Sequence, residues 1–409
     1  MSLDSVAGLN QWPIEYDEVF PYYEKVLVGI GLSGAHSDIH EGRHLMASSK
    51  SSSTDVDIKF STWMGWRSRN FAVNPVLRRK LSGAHVVEGS IVYGIRENSG
   101  EVAEIEATDR FGETVTYRAR TVILAAGTFG NTRILAGSDV AADLPQLGSG
   151  FVDHVSKRVA ALSVTDWDRF RDFASHRRYK GVLCSPRLVP TERFVRRSTL
   201  LPSYAHFEFE LPAESFPRQA RDLLRARQAN AKSPGLLSVL TCGVRDLPQL
   251  LESISKSIVK SQRPIFKSSN VYLRVDVQQP TRRESRLTWQ NAGTPGKEVQ
   301  LEWCVGAEEN DSANAFGREV LAVLEDMNVG ANTRELLPDA GFKDIFHMMG
   351  GTSMATSAMK GVVDTNLKVF GMDNVYVAGA SVFPSGGLAN PTFTALALAH
   401  RLGLYLESN

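Results

Sequence analysis

The stretch Thr121-Val122-Ile123-Leu124-Ala125-Ala126-Gly127 is a continuous apolar run that ends in small residues. Such a run is typical of a strand that is covered on both faces, as in a parallel sheet. Residues 131–135 then begin a helix. Because α/β sheets bind ligands where a strand leads through small residues into a helix, the stretch predicts an α/β region with a ligand site at the end of this strand.

The pattern on both sides of this stretch predicts a mixed α/β and α+β chain. Short strands are expected at 85–87, 90–95, 102–108 and 114–118 before it, and at 205–211, 271–278, 286–290, 299–305 and 374–378 after it. Apolar residues at helical spacing predict helices around 247–258 and 311–327, and Pro391 indicates the start of a last helix at 391–406. We therefore expect an antiparallel sheet with covering helices in residues 151–330.

Composition excludes several classes of protein. The chain has 409 residues, 43% of them hydrophobic and 22% charged, and is long enough for two globular domains. Its net charge of +1 provides no long-range field that favours nucleic acid or an acidic membrane. The basic helix expected at 218–227 is either a partner site or a solvated face, and we favour the solvated face.

The cysteines and the hydropathy pattern indicate the compartment. Cys184, Cys242 and Cys304 are widely spaced, so neither a disulfide framework nor a metal site is expected, and the compartment is expected to be reducing. No stretch approaches the roughly 20 uninterrupted apolar residues of a membrane span, and the start of the chain lacks the features of a signal peptide. We expect a cytoplasmic protein without a membrane span.

The segment Gly29-Ile30-Gly31-Leu32-Ser33-Gly34 fits the GxGxxG pattern of a dinucleotide-binding loop. Its context does not fit, because residues 35–42 carry no apolar stripe and a helix at 21–25 precedes it instead of a buried strand. We interpret the segment as a glycine-rich exit from a helix. The alternative is a phosphate-binding loop.

Two segments near the C-terminus carry the clearest chemical signal. The first is His347-Met348-Met349-Gly350-Gly351-Thr352-Ser353-Met354, in which the glycines permit close approach of backbone to a flat ligand. The second contains Gly379-Ala380-Ser381 at a strand end and Ala389-Asn390-Pro391-Thr392 before the last helix. A neutral His with a nearby amide can orient a hydroxyl group and take its proton. The residues alone also fit a structural His and an Asn that only caps a helix.

These two segments resemble the C-terminal signature of the glucose–methanol–choline (GMC) flavoprotein oxidoreductases. Other segments also resemble that family and occur in the same order along the chain. They are Trp12-Pro13-Ile14, 121–138, 148–154 and 284–288. The resemblance implies an FAD/NAD(P)-binding-like GMC domain with an antiparallel-sheet substrate domain. In such a protein, 1–150 and 331–409 would bind FAD and 151–330 would bind substrate.

The resemblance also implies residue roles. His347 and Asn390 would face the flavin ring as the catalytic pair, with His347 as the base while hydride passes to flavin N5. The positions matching cofactor contacts are Val92 at the adenine, Ala126 and Gly127 near the adenosine, Gly379 and Ala380 at the pyrophosphate and ribityl chain, and Pro391 and Thr392 beside the isoalloxazine. The implied function is oxidation of a CH–OH group of a small-molecule alcohol or sugar, with FAD as cofactor and an unidentified electron acceptor.

The sequence departs from the family pattern at its start, where the βαβ unit with GxGxxG would precede Met1. Three interpretations follow. The chain is a piece of an active enzyme, a non-catalytic relative that serves as a binding or scaffold protein, or an enzyme in which 29–34 replaces the phosphate site.

Overall fold

The computed structural model of the chain describes residues 10–30, 55–64, 70, 73–98, 101–179, 182–198, 200–228, 235–260, 265–267, 270–290 and 299–408. Its helices are α1 (Tyr16–Gly29), α2 (Pro75–Leu81), α3 (Gly127–Ala136), α4 (Trp167–Ala174), α5 (Glu192–Ser198), α6 (Phe216–Gln228), α7 (Leu236–Lys260), α8 (Ala307–Asp326) and α9 (Thr392–Ser408). Its strands are β1 (Val56–Trp63), β2 (Ile91–Asn98), β3 (Glu101–Thr108), β4 (Thr114–Tyr117), β5 (Val122–Leu124), β6 (His154–Val164), β7 (Arg177–Tyr179), β8 (Val182–Pro190), β9 (Ser203–Glu210), β10 (Asn270–Gln278), β11 (Arg286–Trp289), β12 (Val299–Glu302), β13 (Ala331–Leu336), β14 (Lys343–Asp344) and β15 (Val375–Val377).

An eight-stranded antiparallel sheet forms the centre of the middle region. Its order is β1-β8-β9-β10-β6-β13, with β7 paired to β8 and β14 paired to β6. The central strands β6 and β10 are rich in β-branched and apolar residues, which favour a pleated and buried surface. Helix α8 packs on both strands and buries Phe316 and Val320 in their core. The predicted antiparallel sheet with a covering helix is therefore present.

The contact between α8 and β6 depends on a glycine. A Cβ atom on Gly317 would lie 2.8 Å from Cγ2 of Val159, which is closer than real Cβ contacts. Because Val159 is β-branched, its side chain has little freedom to move away. The helix can approach the strand this closely only with glycine at 317.

A second hydrophobic core combines residues from both ends of the described chain. It contains Val26 of α1, Leu135 of α3 and Leu398 of α9. Helices α1 and α9 pack against each other, and the Tyr23 hydroxyl lies 2.9 Å from Oγ1 of Thr394. The chain leaves this core at β6, builds the large sheet, and returns after β14.

Two smaller sheets accompany the second core. Strands β2, β3 and β4 form an antiparallel sheet, whereas β15 pairs with β5 in parallel. The strand predicted at 85–87 is absent, since the first strand of this sheet begins at Ile91. The prediction that the run at 121–127 is covered on both faces is also wrong for the described part of the chain, because Ile123 is 48% exposed. The strand has neighbours on one face only.

Strand β1 lies far from its sequence neighbours. It pairs with β8 over its whole length, from Val56 with Pro190 to Trp63 with Leu183, so it joins the sheet that otherwise comes from residues 154–344. Helix α1 ends at Gly29, which agrees with a glycine-rich exit from a helix. Residues 31–34 of that segment lie outside the described residues.

Helix hydropathy and side-chain clustering in the described residues bear on membranes and metals. None of the helices given above is both long and apolar enough to cross a bilayer. Within the same residues, no group of three or more His, Cys, Asp or Glu side chains is arranged to hold a metal ion. Cys184 and Cys242 are buried and Cys304 is exposed, all three as free thiols.

Replacing Gly317 tests the close contact between α8 and β6. We expect Gly317→Ala to lower the free energy of unfolding by about 1–2 kcal/mol, because overpacking outweighs the better helix propensity of Ala. Gly403→Ala in α9 is the matched control. No described atom lies within 4 Å of its added Cβ, so it should gain up to about 1 kcal/mol. Urea unfolding of both variants measures this, and a stabilised Gly317→Ala would contradict the packing.

Candidate active site

The parallel pairing of β5 and β15 brings two predicted cofactor segments to one edge. Leu124 is opposite Val377, and the Ala378 N–H donates to the Leu124 carbonyl over 2.8 Å. The segments Ala126-Gly127 and Gly379-Ala380 directly follow these strands. They therefore emerge side by side at the carboxyl end of the sheet, where α/β proteins bind ligands.

Asn131 ties these two strand ends together. Its side chain is fully buried, and its Oδ1 accepts from the Ala126 N–H over 2.7 Å. Its Nδ2 donates to the Ala378 carbonyl at 3.3 Å and to Oγ of Ser381 at 2.9 Å. One amide side chain thus satisfies backbone groups of both strands, as buried polar groups require. The signal for this role in the sequence is weak, since it is only an Asn within a short helical segment.

The described residues leave space in front of this edge. Gly127 has a φ of +74° and Gly379 a φ of +120°, and no described atom lies within 4 Å of a Cβ built on either. Residues 125–127 are exposed although the preceding strand residue, Leu124, is buried. Helix α3 starts at Gly127 without a side-chain cap, so its first N–H groups remain available to an anionic ligand. These features fit a phosphate-containing cofactor such as FAD.

The Gly350-Gly351 pair packs tightly against other parts of the protein. A Cβ on Gly350 would lie 2.0 Å from the Gly150 carbonyl oxygen, and one on Gly351 would lie 2.6 Å from Oγ1 of Thr132. Both glycines also have positive φ. Gly350 is needed because it lies against the protein's own backbone, and Gly351 because it lies against the Thr132 side chain. Close approach of this segment to a flat ligand stays a prediction.

Val92 lies on β2 beside α3. Its carbonyl accepts a hydrogen bond from Nη2 of Arg133 over 2.8 Å, and its side chain is half-buried against the second core. The strand reaches α3 closely because position 94 is glycine, where a Cβ would lie 2.7 Å from the Gly137 carbonyl oxygen. Contact of Val92 with an adenine stays a prediction.

His347 lies against His154, the first residue of β6. Their Nδ1 atoms are 3.0 Å apart, and Nε2 of His154 donates to the Gly387 carbonyl. Because a carbonyl oxygen only accepts, His154 must carry its proton on Nε2. Burial, with the charge of His347, lowers the pKa of His154 to about 4, so the ring is neutral and its Nδ1 holds a lone pair.

The tautomer of His347 follows from that of His154. Since Nδ1 of His154 accepts, Nδ1 of His347 must donate. Burial also lowers the pKa of His347 below its ordinary value of 6.5. At neutral pH the ring is therefore neutral, with the proton on Nδ1 and a lone pair on Nε2. That nitrogen is able to accept a proton.

The Asp153 carboxylate positions both histidines. Its Oδ1 accepts the backbone N–H of His347 over 2.8 Å and that of His154 over 2.6 Å. Asp153 is buried, and burial raises its pKa to about 6 although these N–H groups lower it. The Asp153 N–H in turn donates to Oε1 of Gln279 over 3.2 Å. The sequence revealed Asp153 and His154 only as part of the resembling segment 148–154, without a contact to His347.

The loop after β15 carries Asn390. His154 anchors this loop at Gly387, three residues earlier, and Nε2 of Gln278 holds the Gly386 carbonyl at 2.8 Å. Asn390 is exposed, Pro391 is buried, and α9 begins at Thr392. The structure thus brings the loop that bears Asn390 to the His154–His347 pair.

A further ionisable cluster lies on the same face of the large sheet as His154, two residues further along β6 and β10. Asp276 of β10 is buried and accepts from Oγ of Ser156 and from Nε2 of His206 at 3.3 Å. Burial raises the pKa of Asp276, but its hydrogen bonds with His206 and Ser156 outweigh burial and hold the pKa well below its ordinary range. The signal in the sequence was the alternation of Arg274, Asp276 and Gln278 within an otherwise apolar strand.

The chain is similar to known proteins in part of its sequence and in its fold. Residues 280–399 match the family model described as GMC oxidoreductase. A cholesterol oxidase from Acinetobacter baumannii is 35% identical over 96 residues, which are 24% of this chain and 17% of that protein. An FAD-dependent oxidoreductase from Chaetomium thermophilum superposes with a TM-score of 0.50 at 17% identity, over 81% of this chain and 64% of that one. Pyridoxine 4-oxidase from Mesorbium loti gives a TM-score of 0.49 at 15% identity, over 85% of this chain and 61% of that one.

The match of residues 280–399, which include His347 and Asn390, confirms the resemblance to the GMC oxidoreductases. The predicted mixed α/β fold class is confirmed by the likeness to the Chaetomium thermophilum protein. FAD, the predicted cofactor, is the cofactor of this family. The chain spans 17% of the cholesterol oxidase and 64% of the Chaetomium thermophilum protein, less than two thirds of either.

Replacing Asn131 tests how the cofactor edge is held. We expect Asn131→Ala to lower the free energy of unfolding by about 2–4 kcal/mol, because the Ala126 N–H, the Ala378 carbonyl and the buried Ser381 hydroxyl all lose a partner. The control is Asn374→Ala, at the other end of the same strand pair, where Nδ2 donates to the Arg120 carbonyl over 2.7 Å in an exposed setting. That variant should lose less than about 1 kcal/mol. Equal losses in urea unfolding would contradict the role of Asn131.

Proposed function

We propose that this chain forms part of an FAD-dependent oxidoreductase that oxidises a CH–OH group of an alcohol or sugar. The observation that carries the proposal is the neutral His347, whose Nδ1–H is held by His154 and whose Nε2 lone pair is available. The match of residues 280–399 to the GMC oxidoreductases supports the same reaction class.

In this proposal His347 is the catalytic base. Its Nε2 accepts the proton of the substrate hydroxyl, and the positive charge that develops on the ring is shared with His154 through the Nδ1–Nδ1 hydrogen bond. His154 cannot take this proton readily, because burial holds its pKa near 4. The proton therefore remains at Nε2 of His347 until it passes to solvent.

Asn390 orients the substrate in the same proposal. An amide side chain offers both a donor and an acceptor, so it can bind the substrate oxygen whichever way the hydroxyl points. The loop that carries it is fixed at Gly386 and Gly387 by Gln278 and His154. This anchoring limits how far Asn390 can move from the histidine pair.

The cofactor would be held at the edge formed by β5 and β15. Ala126, Gly127, Gly379 and Ala380 present small residues and open space to its phosphates, and the buried Pro391 with Thr392 would lie beside its ring. Val92 would approach the adenine from β2. When bound, FAD supplies the two-electron acceptor for the carbon-bound hydrogen.

The alternative is a non-catalytic relative that serves as a binding or scaffold protein. One observation favours it: Ile123 of β5 is 48% exposed, so the parallel strands lack cover on one face among the described residues. Retention of flavin by the full chain separates the two functions.

Replacing His347 tests the base. We expect His347→Gln to lower kcat/KM for alcohol oxidation by about 10²–10⁴-fold, because no lone pair of comparable basicity replaces Nε2. The variant should keep its flavin absorbance after dialysis, since His347 lies outside the proposed phosphate edge. His85→Gln, at an exposed position, is the control and should change neither property. Absence of flavin and turnover from the unmodified chain would favour the non-catalytic alternative.

The pH dependence of kcat/KM is a second test of His347 as the base. His347 must be neutral to act, and its pKa is lowered, so kcat/KM should stay constant as pH falls to 6.5 and decline only below it. Asp153 titrates near pH 6, and Asp153→Asn keeps the accepting oxygen while removing that titration. An acid limb with a midpoint above 6.5 that persists in Asp153→Asn would contradict a neutral base at 347.

A further inference from the structure

Helix α7 exposes a continuous apolar stripe. Its members share one face and are between 45% and 77% exposed. They are Leu237, Leu240, Val244, Leu247, Leu251, Ile254 and Ile258. We call these seven residues the α7 stripe. On a helix their span is about 30 Å long, far more than a single stray surface residue presents.

The opposite side of α7 is already packed. Val239, Cys242 and Ser253 are buried, and Gly243 lies against the ring of Phe216 at the start of α6. Helix α6 is also held by the carboxylate of Asp246, which accepts the Phe216 N–H over 2.8 Å. The α7 stripe is therefore a second apolar face, separate from the one that fixes the helix to the protein.

The spacing of the stripe alternates between three and four residues. This pattern suits a helix face that a continuous apolar surface covers along its whole length. A partner helix is one such surface, but the positions that flank the stripe are Thr241, Pro248 and Ser255 on one side and Gly243, Leu250 and Ser257 on the other. None carries the charge by which coiled coils choose a partner.

The charge of this part of the sequence points to an anionic surface. Residues 216–267 contain ten Lys or Arg and three Asp or Glu, a net charge of +7, while the remaining 36 basic and 42 acidic residues give −6. The near-neutral total of +1 hides this division. On α6, Arg221 and Arg225 are exposed beside Leu224, which is 61% exposed. A second copy of the chain would bring +7 against +7, which opposes pairing through this face.

We propose that the hairpin of α6 and α7 docks on a lipid bilayer surface that contains anionic phospholipid. Helix α7 lies in the plane of the interface with the α7 stripe among the acyl chains, as amphipathic helices with basic surroundings do. The basic residues of the hairpin bind the lipid headgroups electrostatically. The attachment is peripheral and places the helix along the membrane, not across it.

Vesicle co-sedimentation of the full 409-residue chain tests the proposal. We expect binding to vesicles of phosphatidylcholine with phosphatidylserine, little binding to pure phosphatidylcholine, and release as salt is raised. The triple variant Leu240→Ser, Val244→Ser, Leu247→Ser should lose at least about tenfold in partitioning, because three apolar side chains leave the acyl region. The matched control changes Leu81, Val86 and Leu336 to Ser, which are exposed to the same degree elsewhere.

The outcomes separate the possible occupants. Equal binding by the triple variant and its control, or no binding to either vesicle, would overturn the proposal. A dimer in sedimentation velocity that the triple variant makes monomeric, without vesicle binding, would assign the stripe to a second copy instead. If the triple variant fails to fold, Arg221→Gln with Arg225→Gln provides the test. That pair should weaken binding to phosphatidylserine vesicles several-fold, and unchanged binding would contradict the role of the basic hairpin.

Discussion

One buried carboxylate joins the two halves of the candidate site. Oδ1 of Asp153 accepts the backbone N–H of His154 and that of His347, residues 193 positions apart in the chain. Without this acceptor, two buried donors would lack a partner, which costs about 1–3 kcal/mol each. The carboxylate also sets the two imidazoles next to each other. The protonation state of His347, and with it the proposed chemistry, depends on that placement.

The fold explains why such a junction exists. The chain leaves its second core at β6, forms the large antiparallel sheet, and returns to pair β15 with β5. The site therefore lies where β6, at which the chain leaves the second core, meets the segment after β14, at which the chain returns to it. On the cofactor side Asn131 performs a similar function, because its one side chain holds the ends of both parallel strands. Long sequence separations at both places follow directly from this return of the chain.

Local signals in the sequence were sufficient for some of these features. The small residues after β5 and the segment around His347 were predicted because their patterns are contained in a few consecutive positions. Other features could not be predicted, since each depends on contacts between distant parts of the chain. They are the pairing of His154 with His347, the hydrogen bonds of Asn131 to both strand ends, and the pairing of β1 with β8. The strand expected at 85–87 and the second cover over Ile123 failed for a related reason, because propensity does not specify neighbours.

The tautomer of His347 is the most direct test of this account. Nitrogen-15 NMR of the imidazole, with His347→Gln to assign the signal, reports which ring nitrogen carries the proton. At neutral pH the account predicts a proton on Nδ1 and an unprotonated Nε2, because His154 Nδ1 can only accept. A proton on Nε2, or a ring that is already charged at neutral pH, would contradict the assignment of His347 as the base.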